Sequence, residues 1–129
     1  MTQMIEVKTA EIIGPALDWA VDAIESGKPL EIRHHKNGSG EWIFVADGVP
    51  YPSGPRKFST DWNQGGPLIE KHRVSTEAPG VSSGFWTASM PGSALMGVCQ
   101  GPTPLVAGCR RLVREHLGDV VQVPKELLP

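Results

Sequence analysis

The sequence predicts an α+β fold, in which two amphipathic helices at about residues 15–26 and 103–117 pack on a small, mainly antiparallel sheet of three to five strands. Apolar residues recur at helical spacing in both windows, and short segments typical of strands lie between them. The 129 residues suit a single domain. The 15 glycines and 12 prolines predict short elements joined by many turns.

The first elements are a short strand and a helix. Ile5 and Val7 alternate with charged residues, which predicts a strand or extended arm. Pro15 suits the first turn of the helix, and Gly27 suits its end. The predicted buried face of this helix consists of Leu17, Ala20, Val21 and Ile24. Trp19 lies off that face, so we expect it to contact a second element or to line the rim of a pocket.

A hairpin and a proline-rich linker occupy about residues 28–55 of the single domain, 1–129. Apolar residues alternate before and after Asn37-Gly38, a pair that favours a tight turn between two strands. Residues 49–57 contain three prolines, which exclude a central strand there.

The C-terminal half predicts more strands and the most regular helix of the chain. Strands are expected at 73–77, 85–90, 94–100 and 120–124, and a short helical turn is expected at 67–72. Thr103 is a good N-cap, Pro104 suits the first helical position, and Gly118 ends the helix. The predicted buried stripe of this helix is Leu105, Cys109, Leu112, Val113 and Leu117.

Composition argues against several classes of protein. The formal net charge of −2 gives no general attraction to nucleic acid or to an anionic membrane. No apolar run approaches the roughly 20 residues that a membrane span needs, and the N-terminus lacks the pattern of a signal peptide. A cytosolic location is therefore expected. The spacing of Cys99 and Cys109 suits neither a zinc site nor a redox motif, so we expect two buried, reduced thiols.

No metal, cofactor or catalytic residue is predicted. His34 and His35 are adjacent, so in a strand they point to opposite faces, and the sequence contains no metal-binding histidine motif. Neither cysteine has a motif that would place a histidine beside it. Acid–base chemistry would require a meeting in space of Asp18, Asp61, Glu70 and His72. Nothing in the spacing of these four residues demands such a meeting.

The stretch FSTDWNQGGPLIEKH, at residues 58–72, is the candidate ligand site. A tryptophan can stack on a planar group while amides bind its polar edge, and two glycines allow close approach of a ligand. The candidate ligand-binding residues are Trp19, Asp61, Trp62, Asn63, Gln64, Gly65 and Gly66. In the structural alternative, Trp62 fills the core, Asp61 caps a turn and Pro67 opens a short helix.

Basic residues are concentrated on the last helix. Arg110, Arg111 and Arg114 are expected to project from its polar side, where they would contact phosphates or an acidic partner. The alternative is a set of surface arginines that increase solubility or pair with acids of the first helix. Binding to nucleic acid is not favoured. Double-stranded-RNA domains also have the order helix, strands, helix, but the last helix here begins with prolines and apolar residues and lacks the basic residues that start their helix.

Three stretches, at residues 8–22, 59–71 and 101–127, resemble the NinX-like family of small phage proteins. The matching segments are LDWAV at 17–21, TDW at 60–62, QGGP at 64–67 and GPTP at 101–104. The resemblance covers roughly residues 7–26 and 58–127, whereas the hairpin at about 28–55 looks longer or different. It implies phage origin and action in the cytoplasm of a bacterial host. It supplies no reaction, cofactor or catalytic residue.

The interpretation favoured by the sequence is a phage accessory protein that binds a host or phage complex without catalysing a reaction. A small-ligand protein that binds or sequesters a nucleotide-like molecule is the second hypothesis, and an uncharacterised enzyme is the third. The partner is therefore an unidentified protein or a nucleotide-like ligand. Whether the chain forms a homo-oligomer stays open.

Overall fold

The computed structural model describes residues 3–36, 38, 40, 42–46, 48–50, 56–80 and 84–129, with the backbone alone at 33–35. Within these residues the helices are α1 (Gly14–Ser26), α2 (Trp62–Lys71) and α3 (Pro104–Leu117), followed by a 3₁₀ turn at Lys125–Leu127. The strands are β1 (Met4–Lys8), β2 (Glu31–Lys36), β3 (Trp42–Ala46), β4 (Val49–Pro50), β5 (Ser75–Glu77), β6 (Trp86–Ser89), β7 (Cys99–Gly101) and β8 (Val120–Pro124).

The α+β class is confirmed, but the expectation of one sheet is wrong. The described strands form three small antiparallel sheets, with the orders β1-β8, β2-β3-β4 and β5-β6-β7. The described strands are two to six residues long, and none of their ladders joins one of these sheets to another. β1 pairs with β8 from the other end of the chain, with Glu6 opposite Gln122. This pairing cannot be read from local pattern.

The predicted hairpin is present as β2 and β3, which pair antiparallel. Gly38 is described as part of a turn, whereas Asn37 lies outside the described residues. Among its described residues, the proline-rich linker contributes the two-residue strand β4, which pairs with β3 at the edge of its sheet. An edge position is where a strand tolerates proline.

The core is formed where α1 and α3 pack together. Leu17, Ala20 and Val21 of α1 are fully buried, as their spacing predicted, and Ile24 is partly buried against the same cluster. Four of the five stripe residues of α3 are buried, namely Leu105, Cys109, Leu112 and Val113. Leu117, in the last turn, is exposed, which corrects its assignment to the core. α3 also contacts α2 and strands of two sheets, so it is the central element of the fold.

The two cysteines are buried and free, as expected. Burial raises the pKa of the Cys109 thiol to about 12, and it also raises the pKa of Cys99. No helix in the described part of the chain is long and apolar enough to cross a membrane.

Candidate functional site

The polar residues of the 61–64 segment satisfy one another at the start of α2. Asp61 is the N-cap, and its carboxylate accepts the Asn63 backbone N–H at 2.9 Å. The other carboxylate oxygen accepts the side-chain amide of Gln64 at 3.0 Å. The Gln64 carbonyl oxygen in turn accepts the Lys57 backbone N–H at 2.6 Å. The structural role predicted for Asp61 is confirmed, and Gln64 joins α2 to the segment before it.

Gly65 and Gly66 are both helical, and neither has a positive φ. Gly65 is required by close packing, because an added Cβ would overlap the Phe58 carbonyl oxygen and approach Leu105. Gly66 has room, since an added Cβ would lie 3.6 Å from the Trp62 ring. α2 begins at Trp62, before the helical turn expected at 67–72. Pro67 lies inside this helix and does not open it.

The two candidate tryptophans have different environments. Trp19 is buried and its indole N–H donates to the Leu30 carbonyl at 2.9 Å, next to the start of β2. Trp62 is 56% exposed, so the interpretation in which it fills the core is wrong. An exposed indole is available to a binding partner.

Trp62 lines a pocket of about 340 Å³ at which all three helices begin; we call it the helix-start pocket. Its described lining residues are Ile13, Gly14, Ser59, Thr60, Trp62, Pro102, Thr103, Leu105 and Val106. They come from the start of α1, the start of α2 and the start of α3. Asp61, Asn63 and Gln64 do not line it. The sequence argument therefore identified the aromatic wall of this pocket and missed its hydroxyl groups.

Arg110 is an internal residue rather than a member of a basic patch. It is 9% exposed, and its guanidinium donates to the carbonyls of Ile12 at 2.8 Å and Gln100 at 2.7 Å. Burial lowers its pKa. The prediction that Arg110 projects from the polar side of α3 is wrong. Its hydrogen bonds instead hold together the segments that lead into α1 and α3, beside the helix-start pocket.

Arg111 and Arg114 hold the loop at residues 93–98, which we call the braced loop. Arg111 is completely buried, so its predicted projection from the helix is also wrong. Its guanidinium donates to the carbonyls of Leu95 at 2.6 Å and Gly97 at 3.3 Å, and to Glu115 at 2.9 Å. Arg114 is partly exposed and donates to the Met96 carbonyl at 3.1 Å.

The braced loop presents apolar side chains to solvent. Met96 is 81% exposed, and Leu95 and Val98 beside it are also exposed. A further anchor comes from Ser93, whose hydroxyl contacts the Glu115 carboxylate at 2.6 Å and accepts the Leu95 N–H at 2.9 Å. The backbone of the loop is thus fixed by α3 while its apolar side chains point outward.

Comparison with known proteins identifies the family. Residues 8–116 match the family described as bacteriophage P22 NinX. The chain belongs to this family. The match runs through the hairpin region and ends before β8. No curated protein matches the chain.

The three stretches that suggested the NinX family meet at the helix-start pocket. Residues 8–22 contribute Ile13 and Gly14, the TDW segment contributes Thr60 and Trp62, and the GPTP segment contributes Pro102 and Thr103. These stretches are far apart in sequence, and the folding of α1, α2 and α3 brings them together.

Two buried acids of α1, Asp18 and Asp22, have raised pKa values. Burial raises the pKa of Asp18, partly opposed by hydrogen bonding to Ser59 and by the charge of Lys57. Asp18 accepts the Ser59 backbone N–H at 2.9 Å. The Ser59 side chain lies close enough to influence this carboxyl group, but its oxygen forms no hydrogen bond of normal geometry within the described residues. Asp18 therefore fixes the segment that precedes α2.

Asp22 is 2% exposed, and its two oxygens have no hydrogen-bond partner among the described residues. Burial raises its pKa, which is opposed by Arg56, 3.8 Å away, and increased by Glu25. The acid–base group considered from the sequence is not assembled: His72 contacts Glu25 at 3.2 Å, while Asp61 caps α2. Within the described residues, no group of three or more histidines, cysteines or acids is placed to hold a metal ion.

A second pocket, of about 400 Å³, lies beside β3. Trp42 and Phe44 form its aromatic side, and Glu126 and Leu127 contribute from the 3₁₀ turn. The Lys36 ammonium lies 5.0 Å from the centre of the Trp42 ring, within the range of a cation–π contact. This pocket therefore carries charged groups at its aromatic wall, in contrast to the helix-start pocket.

Proposed function

We propose that this NinX family protein is a phage accessory protein that docks on a host or phage protein complex through its braced loop, in the host cytoplasm, without catalysing a reaction. The observation that carries this proposal is the 81% exposure of Met96 in a backbone held by the fully buried Arg111. Fixing a loop before binding reduces the conformational entropy that association must overcome.

The surface around Met96 has the character of a small docking site. Leu95 and Val98 extend the apolar surface, and neighbouring apolar side chains at a protein surface are typical of interaction sites. Arg114 borders the loop and pairs with the exposed Asp119 at 3.0 Å. Of the three arginines considered from the sequence, Arg114 is therefore the one best placed to meet an acidic group at the rim of a partner.

The test is native mass spectrometry of the protein purified from infected cells, comparing Met96→Asp with a Met4→Asp control. Both methionines are exposed, but Met4 lies on β1, outside the braced loop. The wild type and the control should retain a partner at fixed stoichiometry, and Met96→Asp should lose it with an unchanged melting temperature. Equal retention by both variants, or no partner on the wild type, contradicts the proposal.

The second candidate is a protein that binds or sequesters a nucleotide-like ligand. The exposed ring of Trp62 in the wall of the helix-start pocket supports it. The pocket volume of about 340 Å³ lies near the lower end of the usual range for ligand sites. Binding of a nucleoside or nucleotide that shifts the melting temperature of the wild type is its first test.

A further inference from the structure

We infer that the helix-start pocket binds an uncharged planar heterocycle of the nucleobase class, stacked on Trp62, with any phosphate remaining outside the pocket. This inference rests on the second candidate function and specifies its ligand. It also moves the site away from the amides of Asn63 and Gln64 to the hydroxyl groups of Thr60 and Thr103.

The stacking surface is the indole of Trp62. The ring is more than half exposed, and a Cβ added to Gly66 would lie 3.6 Å from it, in ordinary van der Waals contact. The lining residues Ile13, Pro102 and Leu105 give the pocket largely apolar walls. A flat, weakly solvated ring suits such walls, and stacking on an aromatic side chain favours any base.

The charge of the lining selects against an anion. All nine described lining residues, from Ile13 to Val106, are uncharged, so no lysine or arginine is present there to neutralise a phosphate. Outside the lining, the carboxylates of Asp18 and Asp61 accept backbone N–H groups. The guanidinium of Arg110 is bound to the carbonyls of Ile12 and Gln100. The lining itself therefore suits an uncharged ring better than a phosphate.

The polar groups that remain suit the edge of a heterocycle. Thr60 lines the pocket and is exposed, whereas the Ser59 oxygen is enclosed by protein atoms and forms no hydrogen bond of normal geometry within the described residues. Thr103 Oγ1 accepts the Val106 N–H at 3.1 Å, which leaves its hydroxyl hydrogen available to donate. The start of α1 has no side-chain cap, so its first N–H groups also require acceptors. Ring nitrogens and carbonyl oxygens of a nucleobase are such acceptors.

The experiment is isothermal titration calorimetry of the whole chain with the four common ribonucleosides and their 5′-monophosphates. At least one nucleoside should bind, and its monophosphate should bind no more tightly. Trp62→Ala should weaken binding about tenfold or more, and Trp62→Phe should restore part of it, because a phenyl ring also stacks. Since Trp62 is exposed, both variants should keep the melting temperature of the wild type.

Two control variants distinguish this inference from ligand binding in the second pocket and from docking through the braced loop. Trp42→Ala, in the second pocket, and Met96→Asp, in the braced loop, should leave nucleoside binding unchanged. Absence of binding by every nucleoside overturns the inference, as does a monophosphate that binds more than about tenfold more tightly than its nucleoside. Loss of binding in Trp42→Ala but not in Trp62→Ala would place the ligand in the other pocket. None of these results decides the docking test on Met96, so the two proposals can fail separately.

Discussion

Replacing each of two adjacent glycines with alanine should have opposite effects on stability. An added Cβ on Gly65 would overlap the Phe58 carbonyl oxygen and lie 2.8 Å from Leu105 Cδ2. The first of these atoms belongs to the backbone and cannot rotate away, so α2 must shift. Overpacking of this kind costs about 1–3 kcal/mol. An added Cβ on Gly66 would lie 3.6 Å from the Trp62 ring, which is ordinary van der Waals contact.

Gly66→Ala should therefore be neutral or stabilising. Alanine in the interior of a helix is favoured over glycine by roughly 0.5–1 kcal/mol, chiefly because it restricts the unfolded chain. Free energies of unfolding from urea melts should place Gly65→Ala below the wild type and Gly66→Ala at or above it, a separation of about 1–4 kcal/mol. Equal destabilisation by the two substitutions would show that the local packing is misjudged. It would favour a requirement for glycine at both positions.

Three further predictions concern the core and its titratable groups. Leu112→Ala should cost about 2–5 kcal/mol in a urea melt, because Leu112 is buried where α1 and α3 pack, and a near-zero loss would mean that this face is misassigned. Burial raises the folded-state pKa of Asp22, so its ionised form opposes folding at neutral pH, and this cost disappears as the pH falls through the raised pKa. Asp22→Asn should therefore be more stable than the wild type at neutral pH and should lose that advantage in acid; a constant difference across the range would contradict this. Cys99 and Cys109 should resist alkylation at mildly alkaline pH until denaturant is added, because burial raises both pKa values, and prompt labelling of Cys109 in the native protein, detected by mass spectrometry, would exclude its buried position.

The helices were predictable because their signals are local. Pro15 and Gly27 bracket α1, and Thr103 and Gly118 bracket α3, so caps and apolar periodicity were enough to place both. The sheets were not predictable in the same way. Pairing of β1 with β8 depends on contacts between opposite ends of the chain, for which a strand pattern carries no information. Strands of three residues, such as β5 and β7, pair through tertiary context rather than through their own propensity.

The candidate site was predictable only in part, for a related reason. Trp62 stood out because it is large and lies among amides, and it lines the helix-start pocket. The amides themselves form local contacts: Gln64 binds Asp61 and the Lys57 N–H. Ser59 and Thr103 are ordinary residues in the sequence. The available signal was the set of three helix starts, since Gly14-Pro15, Asp61 and Thr103-Pro104 each mark one, but their convergence is a tertiary property.

The arginines of α3 give the sharpest contrast between sequence and structure, and they link the two proposed surfaces. Arg110 and Arg111 are consecutive, so their side chains leave the helix about 100° apart. Arg110 holds the carbonyls of Ile12 and Gln100 beside the pocket, while Arg111 holds those of Leu95 and Gly97 in the braced loop. One turn of α3 therefore fixes both surfaces. Substituting either arginine would leave carbonyl groups unpaired and alter the scaffold itself, so an effect on binding would not identify a contact. The exposed residues Trp62 and Met96 avoid this problem, because each can be changed while the arginine contacts that shape its surface are kept.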